Sequence, residues 1–183
     1  MPIDPLCHGC PGVQPRPGAA AAHLRYREPV HVAKVLTVSD SVHTGDRVDK
    51  TGPRVVALLE GSGFTVSTAD VVPDGVDAVA EALRSLADAF HGLIVTAGGT
   101  GFAPADHTPE GTRAVLDRLA PGLAEAVRSA SPLGRLSRGV AGTIGATLIV
   151  NLPGSPAGAV ECLEAIIDVV PHALDLLGGG RPH

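Results

Sequence analysis

A chain of 183 residues, 44% hydrophobic and 18% charged, is long enough for one domain with a substantial core and leaves room for a tail. Its apolar bulk is Ala, Val, Leu and Ile, with one Tyr, three Phe, no Trp and a net charge of −5. So few aromatics exclude a stacking platform for single-stranded nucleic acid, and the acidic balance excludes a general DNA or RNA binder. An anionic ligand stays compatible where backbone amides or a metal ion supply positive potential.

Residues 1–29, interrupted by Pro2, Pro5, Pro11, Pro15, Pro17 and Pro29, read as a Pro/Ala-rich flexible tail. Cys7-His8-Gly9-Cys10 has the spacing of half a zinc site, but a structural zinc needs four ligands and no second CxxC follows, so an inert segment is expected. With Cys162 the only other cysteine, there is no disulfide framework. No apolar run nears the roughly 20 residues of a membrane span, and no secretory h-region is visible; the expectation is a cytoplasmic protein without a membrane partner. The domain is expected over 30–178, with 179–183 a short C-terminal tail.

In chain order, His31–Val38, Val66–Val72, Leu93–Ala97 and Thr147–Asn151 are short, valine-rich or otherwise aliphatic runs that read as strands. Gly52-Pro53 opens a helix that stops at Gly61-Ser62-Gly63. Asp77 is expected to cap a second helix, whose Val79, Leu83, Leu86 and Phe90 form one buried stripe. Gly122–Arg128 reads as a short helix, and Thr108-Pro109 and Ser155-Pro156 are cap-plus-proline starts. The helix from Pro156 carries an apolar face of Val160, Leu163, Ile166, Ile167 and Val170, with a kink or restart at Pro171 and a stop at Gly178. Near-continuous apolar strands alternating with amphipathic helices predict a three-layer α/β/α domain with a mostly parallel sheet. Ligands of such sheets sit beyond the carboxyl ends of the strands.

Those ends carry the chemistry. Thr96-Ala97-Gly98-Gly99-Thr100-Gly101 follows a strand, and its glycines let backbone N–H groups approach an anion with no Cβ in the way. It is neither a Walker A loop nor a dinucleotide fingerprint, since no Gly-Lys-Ser/Thr follows and Pro104 stands where the third glycine would fall. Asp106 follows just before a helix start, where it suits either the helix dipole or a Mg²⁺ ion bridging phosphates. Asp74, in Pro73-Asp74-Gly75, is a second carboxylate and also an ordinary turn residue. Asn151 offers an amide to a ligand edge. Ser39, Asp40, Asp49, Lys50 and Thr51 enrich a further loop at the same edge.

Taken together, Val38-Ser39-Asp40, Asp49-Lys50-Thr51-Gly52, Val72-Pro73-Asp74, Gly98-Gly99-Thr100-Gly101 with Asp106 and Thr108-Pro109-Glu110, and Asn151-Leu152-Pro153-Gly154-Ser155 resemble the successive motifs of the Mog/MoaB family. That is the molybdopterin-binding fold, shared with the G domain of gephyrin, and the resemblance runs from about Val30 to Leu177. It implies a molybdopterin adenylyltransferase of molybdenum-cofactor biosynthesis, a Mg²⁺-dependent enzyme that moves AMP from ATP to the terminal phosphate of molybdopterin and releases pyrophosphate. It further implies a homotrimer. The family's catalytic acidic positions fall on Asp74 and Asp106, here taken as metal ligands rather than nucleophiles. The implied substrate-binding positions are Ser39, Asp40, Asp49, Lys50, Gly52, Gly98, Gly99, Thr100, Gly101, Thr108, Pro109, Glu110, Asn151, Pro153, Gly154 and Ser155. Two departures stand out. Many members carry an arginine immediately before the aspartate where this chain has Ala105, and the segment Ser129–Arg138, which the resemblance places beside the pterin pocket, is short. Arg128, Arg135 and Arg138 lie in or beside it and read as solvated surface residues. These departures keep open an alternative: a pterin-binding relative without transferase activity, a carrier or scaffold.

Overall fold

The structure, a computed structural model, describes residues 31–180. The expected N-terminal tail with Cys7 and Cys10, and residues 181–183, lie outside the described residues. Runs of aliphatic residues decide the centre of the sheet. Strands β3 (Gly92–Ala97) and β6 (Thr147–Leu152) are buried at every position, as strands covered on both faces must be. They pair in parallel, with Thr96 opposite Asn151. On the other side of β3 lies β1 (Val32–Val38), also parallel, and β2 (Thr65–Val72) completes that edge. Beyond β6, β5 (Ala141–Ile144) and β4 (Arg118–Leu119) run antiparallel, so the order is β2-β1-β3-β6-β5-β4. The sheet is mostly parallel, as expected; its antiparallel end was not anticipated.

Alternate residues of the central strands point to opposite faces. Val35, Leu93, Val95, Leu148 and Val150 face a core covered by four helices: α2 (Gly52–Gly61), α5 (Pro121–Ser129), α6 (Pro156–Glu164) and α7 (Val170–Leu177). Leu36, Val38, Ile94 and Ile149 face a smaller core, closed by Val79 and Leu83 of α3 (Val76–Ala87), against which α4 (Thr108–Arg113) packs. Each fully buried Leu or Ile contributes roughly 2 kcal/mol of transfer free energy, so these two layers dominate the stabilising terms.

Local details correct two expectations. Asp77 lies inside the first turn of α3 and Gly75, at φ +133°, is the residue before the helix, so Asp77 complements the helix dipole instead of capping. Phe90 falls beyond the end of α3 at Ala87 yet still packs on the same core. The restart expected at Pro171 is present: α6 ends at Glu164 and α7 begins with Pro171 in its first turn, where a missing N–H costs nothing. Cys162 is buried, donates to the Val127 carbonyl at 3.2 Å, and burial pushes its thiol pKa up. Among the described residues no helix is long and apolar enough to cross a membrane.

Candidate functional site

The loops after β1, β2, β3 and β6 meet at one edge of the sheet. They enclose a cleft of about 350 Å³ lined by Ser39, Asp49, Lys50, Asp74, Gly98, Gly99, Asp106 and Gly154 among others. Gly98 and Gly99 bring the glycine loop into its lining. Gly98 has φ +113° and its N–H extends the β3–β6 ladder to the Leu152 carbonyl at 3.1 Å. A Cβ at Gly98 would collide with the carbonyl of Val38, and one at Gly99, at φ +61°, would collide with Thr108 Oγ1. Only glycine fits both positions.

Two of the three carboxylates on this cleft, Asp106 and Asp74, each have one oxygen held by a backbone N–H. Asp106 Oδ2 accepts from Ala103 N at 2.9 Å, which shapes the turn between the glycine loop and α4. Asp74 Oδ2 accepts from Asp40 N at 2.9 Å, while Asp74 N donates to Asp40 Oδ1 at 3.0 Å. Asp40, placed after α1's cap residue Ser39 at the start of the single-turn helix α1 (Asp40–His43), thus holds Asp74 and does not line the cleft. Burial raises the Asp74 pKa first; the bond from Asp40 N opposes this, and the charges of Asp40 and Asp106 raise it further. Like charges gathered in this way invite a cation.

Since the folded-state pKa of Asp74 lies above that of the unfolded chain, the folded form binds more protons between the two values, and stability falls as pH rises through that interval. Asp74→Asn keeps an oxygen to accept from Asp40 N and removes the charge. It is therefore expected to be at least as stable as the parent in urea unfolding at pH 7 without divalent ions. The advantage should vanish below the ordinary aspartate pKa of about 4, where the parent is protonated in both states. A lower urea midpoint for the variant at pH 7 than for the parent would contradict this account.

The comparisons decide the family. The family described as "Probable molybdopterin binding domain" matches residues 34–172. The chain belongs to that family. A "Molybdopterin adenylyltransferase" of Helicobacter pylori strain J99 is 35% identical over 159 residues, 82% of this chain and 89% of its own length. The "Molybdenum cofactor synthesis protein cinnamon" of Drosophila melanogaster is 40% identical over 152 residues, 79% of this chain; the chain spans 25% of that relative's length. Among solved structures, the molybdopterin biosynthesis enzyme MoaB of Thermus thermophilus superposes with a TM-score of 0.78 at 48% identity, over 82% of this chain and 98% of that one.

Within this molybdopterin-binding domain, the motif residues separate into groups that the linear sequence did not distinguish. Ser39, Asp49, Lys50, Asp74, Gly98, Gly99, Asp106 and Gly154 line the cleft. Pro153 and Ser155 line a second one of about 260 Å³, with Leu133, Ser137 and Cys162, so the Asn151–Ser155 loop divides the two. Asp49 lines the first cleft but its carboxylate is engaged: Oδ1 accepts from Thr51 N and Gly52 N at 2.8 and 2.9 Å, and Oδ2 from Thr37 Oγ1 at 2.6 Å. It caps the start of α2. Thr51 Oγ1 donates to the Gly154 carbonyl at 2.7 Å, which ties two motif loops together.

Asn151 departs most from expectation. It is buried and its amide is committed internally: Nδ2 donates to Thr96 Oγ1 at 2.9 Å and Thr112 Oγ1 at 3.0 Å, and Oδ1 accepts from Val140 N at 3.1 Å. It joins β3, α4, β6 and the start of β5 and presents no amide to the cleft. Thr108 is the first residue of α4, with His107 as the residue before it; its N–H donates to Gly99 O at 3.0 Å, and its hydroxyl is buried without a partner. Pro109 is buried beside it, Thr100 is buried, and a Cβ added at Gly101 would crowd Asp106 Oδ2.

Two residues were missed. Arg47 lines the cleft beside Lys50 and sets two basic side chains among the loops that carry the carboxylates; an isolated arginine in a polar loop carries no pattern that singles it out. Arg138, read as a solvated surface residue, instead sits on the glycine loop. It pairs with Glu110, and donates from Nη2 to Asp106 O and from Nε to Gly101 O, the last at 2.7 Å.

Proposed function

We propose that the chain is a Mg²⁺-dependent molybdopterin adenylyltransferase of molybdenum-cofactor biosynthesis. The observation that carries this reading is that Asp74 and Asp106 line one cleft with Gly98 and Gly99, together with Arg47 and Lys50. In the reaction, an oxygen of the pterin's terminal phosphate attacks the α-phosphorus of ATP. The bond from that phosphorus to the bridging oxygen breaks, and pyrophosphate leaves. Anions must be brought together, so catalysis consists largely of positioning and charge neutralisation.

The donor set fits a hard divalent cation. Among the described residues no three His, Cys, Asp or Glu side chains converge as a metal cage. Two carboxylates suffice for Mg²⁺, which usually completes its octahedron with water and substrate phosphate oxygens. Asp74 and Asp106 would hold it through the oxygens not bonded to backbone, and it would supply charge neutralisation between the phosphates. The loop amides after Gly98, together with Lys50 and Arg47, orient the triphosphate. The second cleft, bounded by Ser155, Pro153 and the Leu133–Ser137 segment, is the place for the pterin, and Gly154 lies where the two substrates meet. We extend the homotrimer and the cytoplasm to this chain from the family resemblance; sedimentation velocity checks the former.

Incubation with molybdopterin, ATP and Mg²⁺ is expected to yield adenylylated pterin and pyrophosphate, and EDTA to stop it. Absence of product from folded protein that still binds both substrates would refute transfer. Pterin binding with no nucleotide binding would instead identify a carrier, the reading that Ala105 keeps in view.

A further inference from the structure

We propose that Arg138 is a positioning residue that fixes Asp106 on the cleft wall; the proposal rests on the adenylyltransferase reading for its catalytic consequence, and on geometry alone for the clamp itself. The residue spans the entire stretch from the glycine loop to α4. Its backbone N–H donates to the Thr100 carbonyl at 2.8 Å. Its Nε donates to Gly101 O at 2.7 Å, Nη2 to Asp106 O and Nη1 to Glu110 Oε1. The ring of Phe102 lies with its centroid 5.8 Å from the Arg138 Cζ.

A half-exposed ion pair of this kind adds little by itself. Here the ion pair is the lesser part. Two of the three guanidinium bonds go to backbone carbonyls of the turn that carries Asp106, and charged donors make such bonds shorter and stronger than neutral ones. The Asp106 main chain is held by Arg138 and its side chain by Ala103 N, so both ends of the residue are fixed. Exposed Ala103, Pro104 and Ala105 make the turn itself poor in packing. A planar fork arriving from the Ser137–Val140 segment replaces what packing does not provide. Glu110, with its other oxygen buried and unpartnered, orients the fork. Lysine has one point of charge and cannot bridge the same acceptors.

The test uses Arg138→Gln and Arg138→Lys in the full chain, with three readouts. First, kcat should fall about tenfold or more in both variants, since displacement of a catalytic group by about 1 Å costs on the order of a hundredfold. Second, KM for the pterin should stay within about twofold, the signature of an interaction made in the transition state alone. Third, amide hydrogen exchange across Gly101–His107, including the Ala103 N–H that holds Asp106, should speed up while the core strands stay protected. Arg138→Lys serves if the glutamine variant fails to fold. Turnover within about twofold of the parent overturns the proposal, as does a loss of kcat matched by an equal rise in pterin KM and faster exchange throughout the core. Should the parent itself show no transfer, exchange decides: faster exchange in Gly101–His107 sustains the clamp while the transferase reading falls, and unchanged exchange removes the clamp.

Discussion

Asp106→Ala is expected to reduce kcat by about 10²- to 10³-fold, the scale seen when one preorganised electrostatic contact is removed from a site where charge develops. Alanine removes two things at once: a negative charge on the cleft and the acceptor for Ala103 N that closes the turn before α4. Asp106→Asn separates them, because an amide oxygen still accepts from Ala103 N while the charge is gone. Both variants should lose turnover to a similar degree, and both should need more Mg²⁺ for half-maximal rate. Pterin affinity should change little, since Ser155, Pro153 and Leu133 line a cleft to which Asp106 does not contribute. Fluorescence titration of the pterin with a parallel measurement of pyrophosphate release gives both quantities. If Asp106→Asn turns over like the parent, the charge is not the operative feature and the metal assignment fails.

Gly98→Ala should be the most damaging single methyl group in the loop. The residue has φ +113°, a region that L side chains enter at a cost of about 1–3 kcal/mol. The new Cβ would also strike the Val38 carbonyl, which is backbone at the end of β1 and cannot rotate away. A total near 3 kcal/mol corresponds to a fall in Tm of roughly 6–12 °C for a domain of this size. Gly122→Ala is the matched control: it lies in α5 with nothing near the added methyl, so it should gain up to about 1 kcal/mol from helix propensity. Thermal unfolding of both variants, together with nucleotide titration, tests the pair. A Gly98→Ala protein with unchanged Tm would show that the loop relaxes freely.

What was legible in the sequence follows from which signals are local. The four parallel strands were visible because runs such as Leu93–Ala97 and Thr147–Asn151 are mostly aliphatic, as double coverage demands. The antiparallel end was not. β4 is two exposed residues, Arg118 and Leu119, and β5 is Ala-Gly-Thr-Ile, with a single bulky aliphatic residue to mark it. The loops that meet at the sheet edge were legible as a set, because Gly, Ser, Thr and Asp accumulate where strands run into helices. The division of labour among them was not. It is decided by bonds between distant positions, such as Thr51 to Gly154 across 103 residues or Asn151 to Thr112 across 39, which no periodicity encodes. Arg138 shows the same limit, since a lone arginine in a polar stretch looks solvated until its three acceptors arrive from elsewhere in the chain.

The buried amide of Asn151 has a consequence for how this domain can change over generations. Loss of the side chain alone leaves two hydroxyls and a backbone N–H buried without partners, whereas removal of the whole polar set in favour of apolar groups of similar shape approaches neutrality. Single steps away from the trio Thr96, Thr112 and Asn151 therefore cross a valley, and the three positions should drift together or not at all.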